Sequence, residues 1–229
     1  MSERELWTVA LGRVPYPEAL ELQRGLARDR ISGAIPQDVL LLVEHPPVVT
    51  LGRSSRVKHL LASPDFLAAK GVELFEVERG GDVTFHGPGQ LVGYPVMDLK
   101  RHRQDLHWYL RRLEESLINV LDAYGIAAEQ NKGLTGVWTG GRKIASIGVH
   151  ARDWVTWHGF ALNVTTDLSF FDLIVPCGIS GVVMTSMERE LGAEPDASAV
   201  RQSVADIFAA AFDLAPVATP RSALLETAV

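Results

Sequence analysis

Three side chains could act as a nucleophile or move a proton. Cys177 is the chain's one cysteine. A lone cysteine is most often a small buried apolar group. Pro176 and Gly178 flank this one, however, which places it in a turn rather than on a helix or strand face. An exposed thiol in a turn is a liability unless its reactivity is used. Lys143 is the second. RKIASIGVH (142–150) reads as a strand, and period-two alternation puts Lys143 on one face with Ala145, Ile147 and Val149. That face is apolar, so Lys143 is expected to be drawn inward. Burial in general disfavours an ammonium, and a nearby ammonium favours a thiolate, so both properties suit a thiolate–lysine dyad. His86 is the third. Its glycine-rich neighbourhood predicts exposure in a substrate site, with direct proton transfer or a Cys177–His86 pair as alternatives. The seven histidines show no metal-ligand spacing on a plausible helix.

His86 lies in the stretch around which the chain is organised, RGGDVTFHGPGQ (79–90). Four glycines and a proline frame a short extended core, the pattern of a sharp turn or of a backbone that must approach something bulky. It matches neither the phosphate-loop nor the dinucleotide-binding pattern, so no nucleotide is implied.

The remaining elements must position these groups. Strands are predicted at Leu6–Leu11, at the continuous apolar run from Asp38, at Val48–Leu51 and at Val72–Glu78. A further strand, Leu91–Met97, carries Pro95, which predicts an edge or a bulge. Gly136–Thr139, Arg142–His150 and Trp154–Val164 form an antiparallel meander around the Gly140–Gly141 turn. A helix starts at Tyr16–Pro17 and runs to Gly33. The clearest helix is Asp105–Tyr124, with Leu106, Leu110, Leu113, Leu117, Val120 and Leu121 on one stripe. Ala199–Phe212 is the last helix, Pro64–Lys70 and Leu168–Leu173 are single helical turns, and Glu188–Asp196 is a connector. Residues 216–229 are expected to be a loose tail. Short turns between strands and few helices favour an α+β fold with mostly antiparallel sheet.

The 229 residues suit one domain with a proper core, and 47% hydrophobic with 22% charged content is that of an ordinary globular protein. A net charge of −6 argues against nucleic acid as the main partner. The longest aliphatic run, Val39–Val43, is too short to span a bilayer, and MSERELW lacks the pattern of a signal peptide. A cytoplasmic protein without membrane association is expected. One cysteine excludes an internal disulfide.

RGGDVTFHGPGQLVGYPVMDL, GRKIASIGVH and VPCGIS, in that order, resemble the signature segments of the octanoyltransferases of lipoate biosynthesis. The resemblance implies the catalytic fold shared by biotin and lipoate protein ligases, with residues 1–215 as a single acyltransferase domain. It implies that Cys177 is the acyl-accepting nucleophile and that Lys143 pairs with it; His86 is a third candidate for the catalytic site on its own setting. It implies that Arg79, Gly80, Gly81, Asp82, Val83, Thr84, Phe85 and His86 bind substrate. Ser146, Ile147 and Gly148, with Gly159, Phe160 and Ala161, match segments that contact the acyl chain. The implied reaction moves an octanoyl group from acyl carrier protein to a lysine of apo lipoyl domains through a cysteine thioester. Those domains are the glycine cleavage H protein and the acyltransferase subunits of 2-oxoacid dehydrogenases. Thioester to amide runs downhill, so no ATP, metal or other cofactor is expected, and the enzyme is expected to act as a monomer. The alternatives are an ATP-dependent ligase, which would need its own nucleotide motif, a thiol hydrolase, and a non-enzymatic acyl-binding module. The basic runs Arg53, Arg56, Lys58 and Lys100, Arg101, Arg103 are alternative docking patches for the acidic carrier protein.

Overall fold

The run DVLLLVE makes β2 (Asp38–Glu44), and its lack of polar alternation reflects burial on both faces. Leu40 and Leu42 point into one apolar cluster, and Val39, Leu41 and Val43 into another. The computed structural model describes residues 4–178 and 181–226. Besides β2, the main sheet contains β1 (Glu5–Arg13), β6 (Gln90–Val96), β7 (Glu129–Asn131), β8 (Leu134–Thr139), β9 (Arg142–Arg152), β10 (Val155–Asn163) and β11 (Ala215–Ala218). Their order is β11-β1-β2-β6-β10-β9-β8-β7. Among the described residues of this sheet only the β11–β1 and β1–β2 pairs are parallel, and β8-β9-β10 is the expected meander. A smaller sheet, β4-β3-β5, is built from β3 (Val48–Leu51), β4 (Glu73–Glu76) and β5 (Val83–His86).

Helices cover both faces of the large sheet. On one face α1 (Tyr16–Ser32) packs Ala19, Leu20, Leu26 and Ala27 against the Val39 side of β2. It begins with Pro17 in its first turn and ends where Gly33 turns left-handed. On the other face lie α3 (Leu106–Ala123) and α5 (Ala197–Ala211), which bury Leu113, Leu117, Leu121, Val204 and Phe208 against Leu42, Phe160 and Leu162. Asp105 and Asp196 cap their N-termini through side-chain bonds to backbone N–H groups. Full burial of each of the leucine, valine and phenylalanine side chains on these helices contributes about 1.5–3 kcal/mol. The short α2 (Pro64–Ala69) closes the small sheet, whose core joins Val49, Val83 and Phe85 to Phe171, Ile174 and Met184.

Four expectations change. Pro95 lies in an interior strand, paired opposite Leu40 of β2. Its missing N–H faces β10, where His158 stands opposite by the register between Phe160↔Gly93 and Val155↔Asp98. The ladder breaks there without slipping: His158 adopts φ 55° and its N–H turns to Gln23 of α1. Second, Glu129–Asn131 pairs as the edge strand β7, in a stretch that had no predicted element. Third, the Glu188–Asp196 connector opens inside a helical turn, α4 (Met187–Leu191), which Gly192 ends in the left-handed conformation. Last, the segment from Pro216 is not loose over its described length. β11 extends the sheet beside β1, and α6 (Ala223–Glu226) buries Leu224 in the core.

Candidate active site

Cys177 occupies a tight turn, Pro176–Gly178, with φ 56° and ψ 18°. A residue with a side chain is strained in that region, at about 1–3 kcal/mol, and persists only where its surroundings impose it. Here Val175 N–H donates to the His59 carbonyl at 2.7 Å, and Gly178 N–H donates to the Val175 carbonyl at 2.9 Å. The second bond commits one of the two backbone donors that an oxyanion would otherwise find beside the thiol.

Lys143 Nζ lies 3.0 Å from Cys177 Sγ. The same nitrogen also donates to the Thr135 carbonyl at 3.1 Å and stands 5.4 Å from the centre of the Trp138 ring. Lys143 is fully buried. Its backbone is fixed by the chain leaving the cysteine turn, through Lys143 N–H to the Val183 carbonyl and Thr185 N–H to the Lys143 carbonyl. Gly136 makes the space: a Cβ there would sit 2.7 Å from Lys143 Cε, and its φ of 131° suits glycine alone.

Period-two alternation from Lys143 to Val149 does not hold. Val137 pairs with Ala145 while Trp138 pairs with Lys143, so β9 carries one extra residue, a bulge at Ile144. Ile144 and Ala145 both enter the core. Lys143 is thereby brought onto the side of Ser146, whose Oγ stands 4.0 Å from Cys177 Sγ.

The thiol opens on a cavity of about 260 Å³. Its walls come from the glycine loop (Arg79, Gly81, Asp82, Thr84, His86), from β9 (Ser146, Ile147, Gly148) and from β10 (His158, Gly159, Phe160, Ala161). Tyr16, Val92, Tyr94, Gly133 and the start of β8 (Leu134, Thr135) complete them. The glycine loop is tied to β9 by Gly80 N–H to the Val149 carbonyl, and to residues 52–54 by three backbone bonds. Arg79 is buried, and its guanidinium donates to the carbonyl and hydroxyl of Thr50. Burial pulls its pKa below the usual arginine value.

Of the residues expected to bind substrate, Val83 and Phe85 point away from the cavity into the small sheet's core, as alternation with Thr84 and His86 requires. His86 lines the cavity but is not exposed. Its ring stacks on Tyr16 at 6.1 Å, and Nδ1 is hydrogen-bonded to Gln90 Oε1 at 2.7 Å. Burial pulls its pKa down to about 3, with the neighbouring His45 adding to the effect, so it is neutral at physiological pH. Cys177 takes Lys143 and Ser146 as its side-chain partners, not His86. The reading of the sequence missed Tyr16, Tyr94 and His158. Tyr16 carried only a helix-start signal, and nothing local in the sequence marks His158. Among the described residues, no three of His, Cys, Asp and Glu converge where a metal ion could sit, and no helix is long and apolar enough to cross a membrane.

Comparison with known proteins places this geometry in a family. A family model described as the lipoyl protein ligase A/B catalytic domain matches residues 15–209. An octanoyltransferase of Chloroflexus aggregans is 51% identical over 217 residues, covering 93% of this chain and 98% of that protein. One of Rubrobacter xylanophilus is 52% identical over 199 residues, covering 86% and 89%. The bipartite lipoate protein ligase of Thermoplasma acidophilum superposes with a TM-score of 0.77 at 17% identity, covering 98% of this chain and 91% of that one. A lipoate-protein ligase A bound with ATP gives 0.76 at 16% identity, covering 99% and 92%. At such identities the structures speak for the fold alone. The sequence relatives reach further: the chain belongs to the lipoyl protein ligase A/B catalytic-domain family and, within it, to the octanoyltransferases, which are acyltransferase enzymes.

Proposed function

We propose that this protein, as a single catalytic domain, transfers an octanoyl group from acyl carrier protein to a lysine of an apo lipoyl domain, with Cys177 as the covalent carrier. The observation that carries the reading is the 3.0 Å contact between Cys177 Sγ and the buried Lys143 Nζ beside the 260 Å³ cavity. In the first half, Cys177 Sγ gives its proton to Lys143 Nζ and attacks the donor's thioester carbonyl. The carrier thiolate leaves, takes that proton from Nζ, and octanoyl-Cys177 remains. In the second half, the acceptor amine attacks this thioester, neutral Lys143 removes the amine's proton, and the Cys177 thiolate departs as the amide forms. The proton returned by Lys143 regenerates the thiol. No step consumes ATP or requires a metal.

Ile147, Phe160, Ala161 and Val92 supply apolar wall for the acyl chain, where each buried methylene is worth about 0.8 kcal/mol. A neutral His86 serves as cavity wall rather than proton carrier. The Ser146 hydroxyl is the candidate oxyanion donor, since Gly178 N–H is committed. For the carrier protein we favour the Arg53, Arg56, Lys58 loop. These cations have no ion pair among the described residues, and residues 52–54 bond to the loop that lines the cavity. In the other patch, Lys100 pairs with Asp98, Arg103 with Asp105, and Arg101 donates to the Pro36 carbonyl. The setting is cytoplasmic, and the acceptors are the lipoyl domains named above.

The test is Lys143→Met assayed on each half separately. Loss of on the order of 100-fold or more in both octanoyl loading and discharge is expected for a shared proton carrier. Wild-type loading in that variant would remove Lys143 from the mechanism. Charge reversal at Arg53 and Arg56 is expected to raise KM for the carrier protein while leaving a short thioester donor unaffected.

A further inference from the structure

His59 and Asp82 touch the cysteine turn at both ends. At the entry, the His59 carbonyl accepts Val175 N–H, and the adjoining Leu60 bridges Ile174. At the exit, Gly178 lies against the side chains: a Cβ there would fall 2.4 Å from Asp82 Oδ2 and 3.0 Å from His59 Cε1. The two side chains are joined to each other, with His59 Nδ1 2.7 Å from Asp82 Oδ2, and the other carboxylate oxygen accepts Val83 N–H at 2.8 Å. Both are largely buried, at 13% and 9% side-chain exposure. Neither hydrogen-bonds to Cys177 Sγ, whose partners are Lys143 and Ser146.

We propose that the His59–Asp82 pair is a positioning device for the nucleophile, holding Cys177 in its left-handed conformation so that Sγ stays on Lys143 Nζ. The inference rests on the acyl-transfer reading of Cys177 and deepens it. A strained backbone persists only where its surroundings over-determine it. Here the surroundings are a carboxylate wedged against Gly178 and aimed by the His59 ring. Without a donor at Nδ1, the Asp82 carboxylate keeps only the Val83 N–H bond at Oδ1, and the oxygen that lies against Gly178 is no longer held. The turn can then relax to negative φ, carrying Sγ away from Nζ. Neither residue moves a proton in this scheme. His59 reads in the sequence as one more member of a basic loop, which hides its link to a loop 23 positions on.

The single cysteine allows a clean test. Full-length wild type, His59→Asn and His59→Ala are alkylated with iodoacetamide, and each is assayed for octanoyl transfer. Asparagine keeps a donor near the Nδ1 position, whereas alanine removes it. The expected result is that His59→Ala slows both alkylation and kcat at least tenfold with KM for the donor within twofold, while His59→Asn stays within threefold of wild type. Alkylation of His59→Ala at the wild-type rate would overturn the proposal, as would equal slowing in both variants, which marks bulk packing rather than the hydrogen bond. If wild type takes no octanoyl on Cys177 yet the alkylation series holds, the acyl-transfer reading fails and the positioning role stands. If all three transfer octanoyl equally, the reverse is true.

Discussion

Cys177 and Lys143 are 34 positions apart and meet because two backbone irregularities bring them together. One is the left-handed turn at Cys177, the other the extra residue in β9 at Ile144. Gly136 is the third condition, since it leaves room for the lysine stem. Gly136→Ala is therefore expected to lower kcat about tenfold or more and to lower the thermal midpoint, with donor KM little changed; steady-state kinetics and a melting curve check both. The identity of these residues was legible in the sequence, because a lone cysteine between proline and glycine and a lysine in an apolar strand are local signals. Their faces were not. Alternation assigned Lys143 to the side of Ala145 and Ile147, and a bulge cannot be read from apolar periodicity. The burial of His86 was equally invisible, because it comes from Tyr16, His45 and Gln90, each from a different part of the chain or the far side of a turn.

At the level of elements, local pattern predicted what local forces hold. The stripe on α3, the continuous run of β2 and the Gly140–Gly141 turn each specify their own geometry. The elements that escaped are those held by distant partners. β11 has little apolar periodicity and exists because β1 offers it an edge, with Ala215–Ala218 paired to Glu5–Thr8. β7 depends on β8 in the same way, and the register shifts between its two pairings, Glu129 with Trp138 and Asn131 with Leu134. The C-terminal segment therefore contributes stability. Leu224→Ala removes a side chain that is 2% exposed within the core of α1 and β2. A loss of about 2–4 kcal/mol is expected in urea unfolding. A change below about 0.5 kcal/mol would mean that the segment does not dock in solution.

Across the whole molecule, the cavity sits where the small sheet, the large sheet and the cysteine turn meet, so its polar groups are buried by all three. Burial pulls His45 down to about 4 and His86 to about 3. Unfolded imidazoles titrate near 6.5. Below that pH the unfolded chain binds protons that the folded chain refuses, so unfolding is favoured as pH falls. Each histidine is expected to cost on the order of 1 kcal/mol per pH unit between about 6.5 and its folded value. The urea midpoint should fall steadily from pH 7 to pH 5, and less steeply in His86→Gln. A flat profile would contradict the burial of these rings.

Whether Cys177 carries the acyl group can be read from the intact mass of the enzyme after mixing with octanoyl-acyl carrier protein alone. The expected result is a gain of one octanoyl group per chain, absent in Cys177→Ser, slow in Lys143→Met and discharged on addition of an apo lipoyl domain. Full modification of the lipoyl domain by Cys177→Ser, with no adduct on the wild-type enzyme, would contradict it.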